Sequence, residues 1–229
     1  RIGEKVYIVE IYVPSEISTV NLESRGAKSR GYYKVFIDAG HGGTDPGALG
    51  YGYRESDLNL QVAKKVESKL KSKGIDVKMS RSSDIFYSLS ERAEMANDYG
   101  ADAFVSIHQN SAEAKSANGI ETYYNRNKEE DKPLSNDIQT QVISQTGANN
   151  RGVKNAEFTV LVKSEMISAL VECGFITNES EVKKLSDPSY QDKLATGIAD
   201  GIEEYLKSNV IIEESQITVI GKVVNADIL

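Results

Sequence analysis

The sequence predicts an α/β fold, a single three-layer domain whose twisted, mostly parallel but mixed sheet of about six strands carries helices on both faces. Three observations carry this prediction. From Lys34 onward, short apolar runs alternate with longer amphipathic stretches. The runs are near-continuous, as strands covered on both faces require. Glycine, serine and asparagine punctuate the joins, where helices stop and turns form.

The elements follow in order. Lys5–Val13 (KVYIVEIYV) reads as a strand, and Pro14–Gly31 as a linker without period. Val35–Asp38 (VFID) is a buried strand, followed by the glycine-rich loop Ala39–Gly52. Asp57–Lys73 is a helix: Leu58, Val62, Val66 and Leu70 recur along one face, Ser56 or Asp57 caps its start, and Gly74 follows its end. Ile75–Met79 is the second strand of the sheet. Ser88–Tyr99 is a helix with Ser88 and Glu91 in capping-box spacing and Gly100 at its end. Ala103–Ile107 (AFVSI) and Gly119–Tyr124 (GIETYY) are strands, and Leu134–Gln145 is a helix stopped by Gly147. Phe158–Val162 and Ile167–Cys173 (ISALVEC) are expected as strands, Glu179–Leu185 and Ser189–Lys207 as helices, and Gln216–Val224 as a further strand.

Composition narrows the function. The chain has 229 residues, about one and a half typical domains at roughly 150 residues each. Its net charge of −7 argues against a nucleic-acid partner, which demands a basic face. No apolar run is long enough to span a membrane. One cysteine excludes an internal disulfide and any Cys-rich metal cage, so a metal site must use histidine and carboxylate. The chain opens at Arg1, and no secretory leader is legible in it.

Ligands of open parallel sheets sit beyond the carboxyl ends of the strands. Read at that edge, the sequence offers His41 after VFID, His108 after AFVSI, Glu172 near the end of SALVEC, and Glu55 at the end of the glycine-rich loop. Both histidines of the chain therefore fall on one edge. Two imidazoles and a carboxylate are what catalytic zinc takes when thiolate is absent. Glu172, on a rigid strand, suits a general base beside them. Such a set describes hydrolysis of an amide or ester. Simpler roles stand beside each assignment. Glu55 suits the positive end of a helix dipole, and Glu172 suits a salt bridge with Arg54, Arg81, Arg92 or Arg151.

Seven segments then invite comparison with a known family: DAGHGGTDPGALG (38–50), YRESDLNL (53–60), SRSSD (80–84), FVSIHQN (104–110), GIETYY (119–124), RGVK (151–154) and LVECGFITN (170–178). In order, they resemble the zinc-dependent N-acetylmuramoyl-L-alanine amidases of bacterial cell walls, the type-3 amidases found among autolysins and endolysins. The resemblance covers about Lys34 to Leu206. It implies one Zn2+ held by His41, Glu55 and His108, with Glu172 as catalytic base and acid. The implied reaction is cleavage of the amide between the lactyl group of N-acetylmuramic acid and L-alanine in peptidoglycan. Asn110 and Arg151 are candidates for binding the peptide stem, Arg suiting bidentate carboxylate recognition. Cys173 and Gln109 depart from the family pattern; Cys173 is expected to point away from Glu172, and Gln109 to affect how the stem packs.

The implied organisation is an N-terminal extension over 1–31, the amidase domain over 32–207, and a linker over 208–229 leading into an SH3-like wall-binding module, whose opening strand the tail VIGKVVNADIL resembles. The implied location is the cell wall, by secretion or phage delivery, and the oligomeric state stays open. Two other functions share these residues: a zinc peptidase acting within the stem, and a wall-binding module without turnover. Asp45 and Asn59 are candidates for orienting the ligands. The Tyr pairs 32–33 and 123–124 are expected to pack on strands, and Glu129, Glu130 and Asp131 to form a solvated loop.

Overall fold

The computed structural model describes residues 32–217. Its elements are β1 (Lys34–Ala39), the two-residue strands β2 (Leu49–Gly50) and β3 (Tyr53–Arg54), α1 (Glu55–Ser72), β4 (Asp76–Met79), α2 (Leu89–Tyr99), β5 (Ala103–Asn110), β6 (Ile120–Asn125), a 3-10 turn (Glu129–Asp131), α3 (Lys132–Thr146), β7 (Asn150–Ala156), α4 (Thr159–Lys163), β8 (Ile167–Phe175), α5 (Glu179–Leu185) and α6 (Pro188–Ile217).

Six strands form one sheet in the order β4-β1-β5-β8-β6-β7, while β2 and β3 make a separate hairpin inside the glycine-rich loop. Strands β4, β1, β5 and β8 are mutually parallel. The pair β6–β7 is parallel within itself but antiparallel to β8. This reversal positions the site, because β6 and β7 begin at the edge where β1, β5 and β8 end.

The larger core lies on one face, where Val35, Ile37, Val105, Ile107, Ala169 and Val171 meet α1, α3 and α6. Helix α1 contributes Leu58, Val62, Val66 and Leu70, as its periodicity predicts. The other face packs Phe36, Phe104 and Leu170 against Ala96 of α2 and Val160 and Leu161 of α4. The rings of Phe36 and Phe104 stack at 6.1 Å. Period-2 alternation divides each strand between the two cores.

The capping box at Ser88 and Glu91 and the left-handed caps at Gly100 and Gly147 form as the sequence predicts. Four expectations are corrected. Phe158–Val162 is not a strand: Thr159–Lys163 is a short helix that buries Val160 and Leu161, so tertiary packing overrides the strand preference of a β-branched run. The sixth strand is β7, an edge strand whose exposed, polar sequence lacks apolar alternation. Helix α1 begins at Glu55, with Arg54 at its N-cap and no side-chain cap; backbone bonds from Glu55 N to Ala48 O and Ser56 N to Pro46 O fix its start instead. At the other end of the chain, α6 runs through Ile217, past the expected helix end at Lys207, so Gln216 and Ile217 are helical. The remainder of the expected Gln216–Val224 strand, and the expected Lys5–Val13 strand, lie outside the described residues. Among the described residues, no helix is long and apolar enough to cross a membrane.

Candidate metal centre and active site

The site begins with a loop that two arginines hold from below. After β1 the chain turns so sharply that His41, not a glycine, takes φ = +62°, a conformation costly for most side chains. Arg92 donates from Nη1 to Ala39 O (2.7 Å) and from Nη2 to His41 O (2.8 Å). Arg81 donates from Nε to Ala39 O (2.9 Å) and from Nη2 to Gly40 O (3.0 Å). Three consecutive carbonyls are thereby satisfied by buried guanidinium groups. Arg92 is neutralised by Asp38 at 2.8 Å, whose other oxygen accepts from Ser106 Oγ at 2.7 Å. Burial alone would raise the Asp38 pKa, but the Arg92 charge and hydrogen bonds from Ser80 and Ser106 hold it below the usual carboxylate value.

The loop brings His41 to Glu55 and His108. Asp45 Oδ2 lies 2.7 Å from His41 Nδ1, which leaves Nε2 facing Glu55 Oε1 at 3.2 Å. His108 Nδ1 lies 2.9 Å from the same oxygen. One ligand atom from each of the three residues falls within 4.8 Å of the others. The approach depends on glycine: a Cβ at Gly40 would overlap the His108 ring, and one at Gly47 would stand 2.7 Å from both Glu55 Oε2 and His41 Cδ2. Glu55 is 4% exposed and locked in place, with Oε2 accepting from Ala48 N and Oε1 from Asn59 Nδ2 and Gln109 N.

The electrostatics favour a cation. Burial opposes charge on the His41 ring, yet hydrogen bonds and charge from Glu55 and Asp45 outweigh it and lift the pKa to about 9. His108 is raised as well: burial opposes this, and Glu55 overcomes it. Glu55 is pushed well below the carboxylate range, because the two histidines outweigh its burial. A pocket that stabilises positive charge on two imidazoles also attracts a metal ion, and two imidazoles with a carboxylate match zinc, leaving a further position open.

Glu172 stands beside this cluster. It is the register partner of His108 on the neighbouring parallel strand. Its Oε2 is buried without a hydrogen-bond partner among the described residues. Burial, with smaller contributions from Glu55 and Glu121, raises its pKa to about 7 against the opposing pull of His108 and His41. Such a carboxyl takes up and gives back a proton near neutral pH. Among the described residues, no arginine forms an ion pair with it. Arg54 pairs with Asp57 and Asp84, Arg81 with backbone carbonyls, Arg92 with Asp38, and Arg151 with Glu121.

The remaining expectations resolve around Glu121, which sequence reading missed. Asn110 Nδ2 donates to Glu121 Oε1 at 2.7 Å, and Arg151 Nε to Glu121 Oε2 at 2.7 Å. Both candidate stem-binding residues thus converge on one buried carboxylate opposite Glu172. The available signal was an acid inside the strand GIETYY, the same signal that marked Glu172. Asp45 contacts His41, and Asn59 contacts Glu55. Gln109 turns to the α1 face, where Nε2 reaches Asn59 Oδ1 at 3.3 Å. Cys173 belongs to the larger core, opposite to Glu172. Tyr123 packs edge-on against Phe158, but its hydroxyl also donates to Glu121. Asp131 is not solvated: it is fully buried and accepts from Ser168 Oγ at 2.8 Å.

Over residues 35–204 the chain matches the family described as N-acetylmuramoyl-L-alanine amidase. It is 47% identical over 173 residues to the uncharacterized protein YqiI of Bacillus subtilis strain 168, covering 75% of this chain and 84% of that protein. It is 45% identical over 175 residues to the N-acetylmuramoyl-L-alanine amidase LytC of the same bacterium; the match takes in 76% of this chain but spans only 35% of LytC. The crystal structure of an N-acetylmuramoyl-L-alanine amidase from Clostridium difficile 630 superimposes with a TM-score of 0.76 at 43% identity, covering 77% of this chain and 98% of that one.

Proposed function

The chain belongs to the N-acetylmuramoyl-L-alanine amidase family, and we propose that it uses zinc to hydrolyse the amide between the lactyl group of N-acetylmuramic acid and the L-alanine that begins the peptide stem. The observation that carries this reading is the convergence of His41, Glu55 and His108 within 4.8 Å, beside a Glu172 oxygen that has no hydrogen-bond partner among the described residues.

His41, through Nε2, His108 and Glu55 would hold one Zn2+ per chain. When bound, zinc supplies a Lewis acid and lowers the pKa of water to about 7. Asp45 and Asn59 keep the ligands aimed, Asp45 by fixing the His41 ring at Nδ1 and Asn59 by bonding Glu55 Oε1. Glu172 takes a proton from the attacking water at its free Oε2 and returns it to the departing amine nitrogen, so the same carboxyl serves as base and then acid. Its rigid strand keeps that oxygen at a constant distance from the reacting atoms. Asn110 and Arg151 bind the stem. The substrate places the enzyme's action at the cell wall.

Metal analysis combined with mass spectrometry of digested peptidoglycan tests the reading. One zinc per chain and released intact stems with a free L-alanine amino group are expected. Shortened stems would assign a peptidase instead, and a chain that takes up zinc without releasing any fragment would make it a binding module.

A further inference from the structure

Register places three groups in a row across the sheet, and side-chain bonds to Glu121 add two cations from β7, where the β6–β7 register shifts. His108 on β5 pairs with Glu172 on β8, Glu172 pairs with Glu121 on β6, and β6 pairs with β7, which carries Arg151 and Lys154. Directly opposed residues share a face, so the row runs from a proposed metal ligand through the proposed base to a cluster of cations.

Glu121 is the organiser of that cluster. Only 3% exposed, it accepts from Lys154 Nζ at 2.5 Å, Arg151 Nε at 2.7 Å, Tyr123 Oη at 2.7 Å and Asn110 Nδ2 at 2.7 Å. Burial would raise its pKa, but these donors, Lys154 foremost, hold it near 2, so it remains an anion. Two cations face one anion, leaving one positive charge in excess. That excess is accessible: the side chains of Arg151 and Lys154 are 33% and 39% exposed. The Arg151 guanidinium carbon lies 4.8 Å from the Phe175 ring centroid, a cation–π contact. Only its Nε is spent on Glu121, and its terminal nitrogens make no hydrogen bond among the described residues. A flat pair of unused N–H donors beside a second cation is suited to one ligand class, the carboxylate.

We propose that Arg151 and Lys154, set by Glu121, bind a free carboxylate of the peptide stem two to three residues beyond the scissile amide. The spacing follows from the row. Two strand separations from β8 to β7 span about 10 Å, and an extended peptide advances about 3.3–3.6 Å per residue. The site therefore sets specificity, distinguishing stems with free carboxylates from those carrying carboxamides. It rests on the amidase reading given above.

Calorimetric binding of short L-alanine-led stem peptides to the zinc-loaded protein tests it without turnover. Two peptides are compared, identical except that the acidic carboxylates are free in one and carboxamides in the other. Wild type should prefer the free acid by roughly tenfold. Lys154→Met and Arg151→Met should bring that ratio close to unity, while Lys154→Arg should preserve it. A wild type that binds both peptides equally, or Met variants that keep the preference, would overturn the proposal. Where Arg151→Met does not fold, the more exposed Lys154→Met decides. A wild-type chain that lacks the carboxylate preference yet releases intact stems refutes this site alone, whereas absence of stem release by the wild type refutes the amidase reading.

Discussion

His108 and Glu172 face each other residue for residue across the parallel pair β5 and β8, which puts a proposed metal ligand and the proposed base on the same side of the sheet. Backbone hydrogen bonds, not side-chain flexibility, set their separation. The division of labour between them is therefore separable by mutation.

Glu172→Ala should bind zinc at wild-type stoichiometry and lose about 10²- to 10⁴-fold in turnover. Metal analysis and rate measurements on the same preparation check this. A variant with wild-type rate would remove Glu172 from the chemistry.

The chain contains two histidines, and both are in the cluster. His41→Ala and His108→Ala should each lower zinc affinity with no replacement imidazole available from the chain. Asp45→Ala, which frees the Nδ1 side of the His41 ring, should cost about 10- to 100-fold. Competition with a chromophoric chelator measures all three, and Asp45→Ala should rank mildest.

Arg92 and Asp38 are a buried ion pair, and Arg92 also holds His41 O and Ala39 O. Arg92→Met leaves the Asp38 carboxylate and those carbonyls unmatched, and should cost about 3–5 kcal/mol of stability. Urea denaturation is the measurement. A loss below about 1 kcal/mol would mean that water replaces the guanidinium.

Asp131, at the start of α3, is raised from 3.8 to about 6 by burial, against the opposing Lys128 charge and the Ser168 hydrogen bond. Between those values the folded state holds more protons than the unfolded state, so this residue's contribution to stability falls as pH rises through the window. Asp131→Asn cannot titrate. The stability of Asp131→Asn relative to wild type should therefore grow from pH 4 to pH 6 and then level off, as read from denaturation midpoints at each pH.

Much of this arrangement is legible along the chain. Apolar runs and capping signals mark β1, β5, β8, α1 and α2, because burial on both faces and helix ends impose local patterns. The rule that ligands collect at the carboxyl ends of parallel strands finds His41, His108 and Glu172. That same rule passes over Glu121 and Lys154. Glu121 lies near the beginning of β6, which only the reversed direction of the β6–β7 pair brings to the edge, and Lys154 sits farther along β7, opposite Tyr123. Edge strand β7 is missed for a related reason, since half its surroundings are solvent and its sequence need not alternate. Helix α4 shows the converse, a β-branched run that packing against Ala96 and Phe104 turns into a helix.

By itself, the sequence determined the α/β class, the ordered motif segments, and the commitment of every histidine to one edge, because periodicity and residue type are local properties. The tertiary structure decided which groups meet. Strand direction and register, set by hydrogen bonding between segments far apart in the chain, aligned His108, Glu172 and Glu121 in one row. Two buried arginines then fixed the left-handed turn at His41 that completes the cluster.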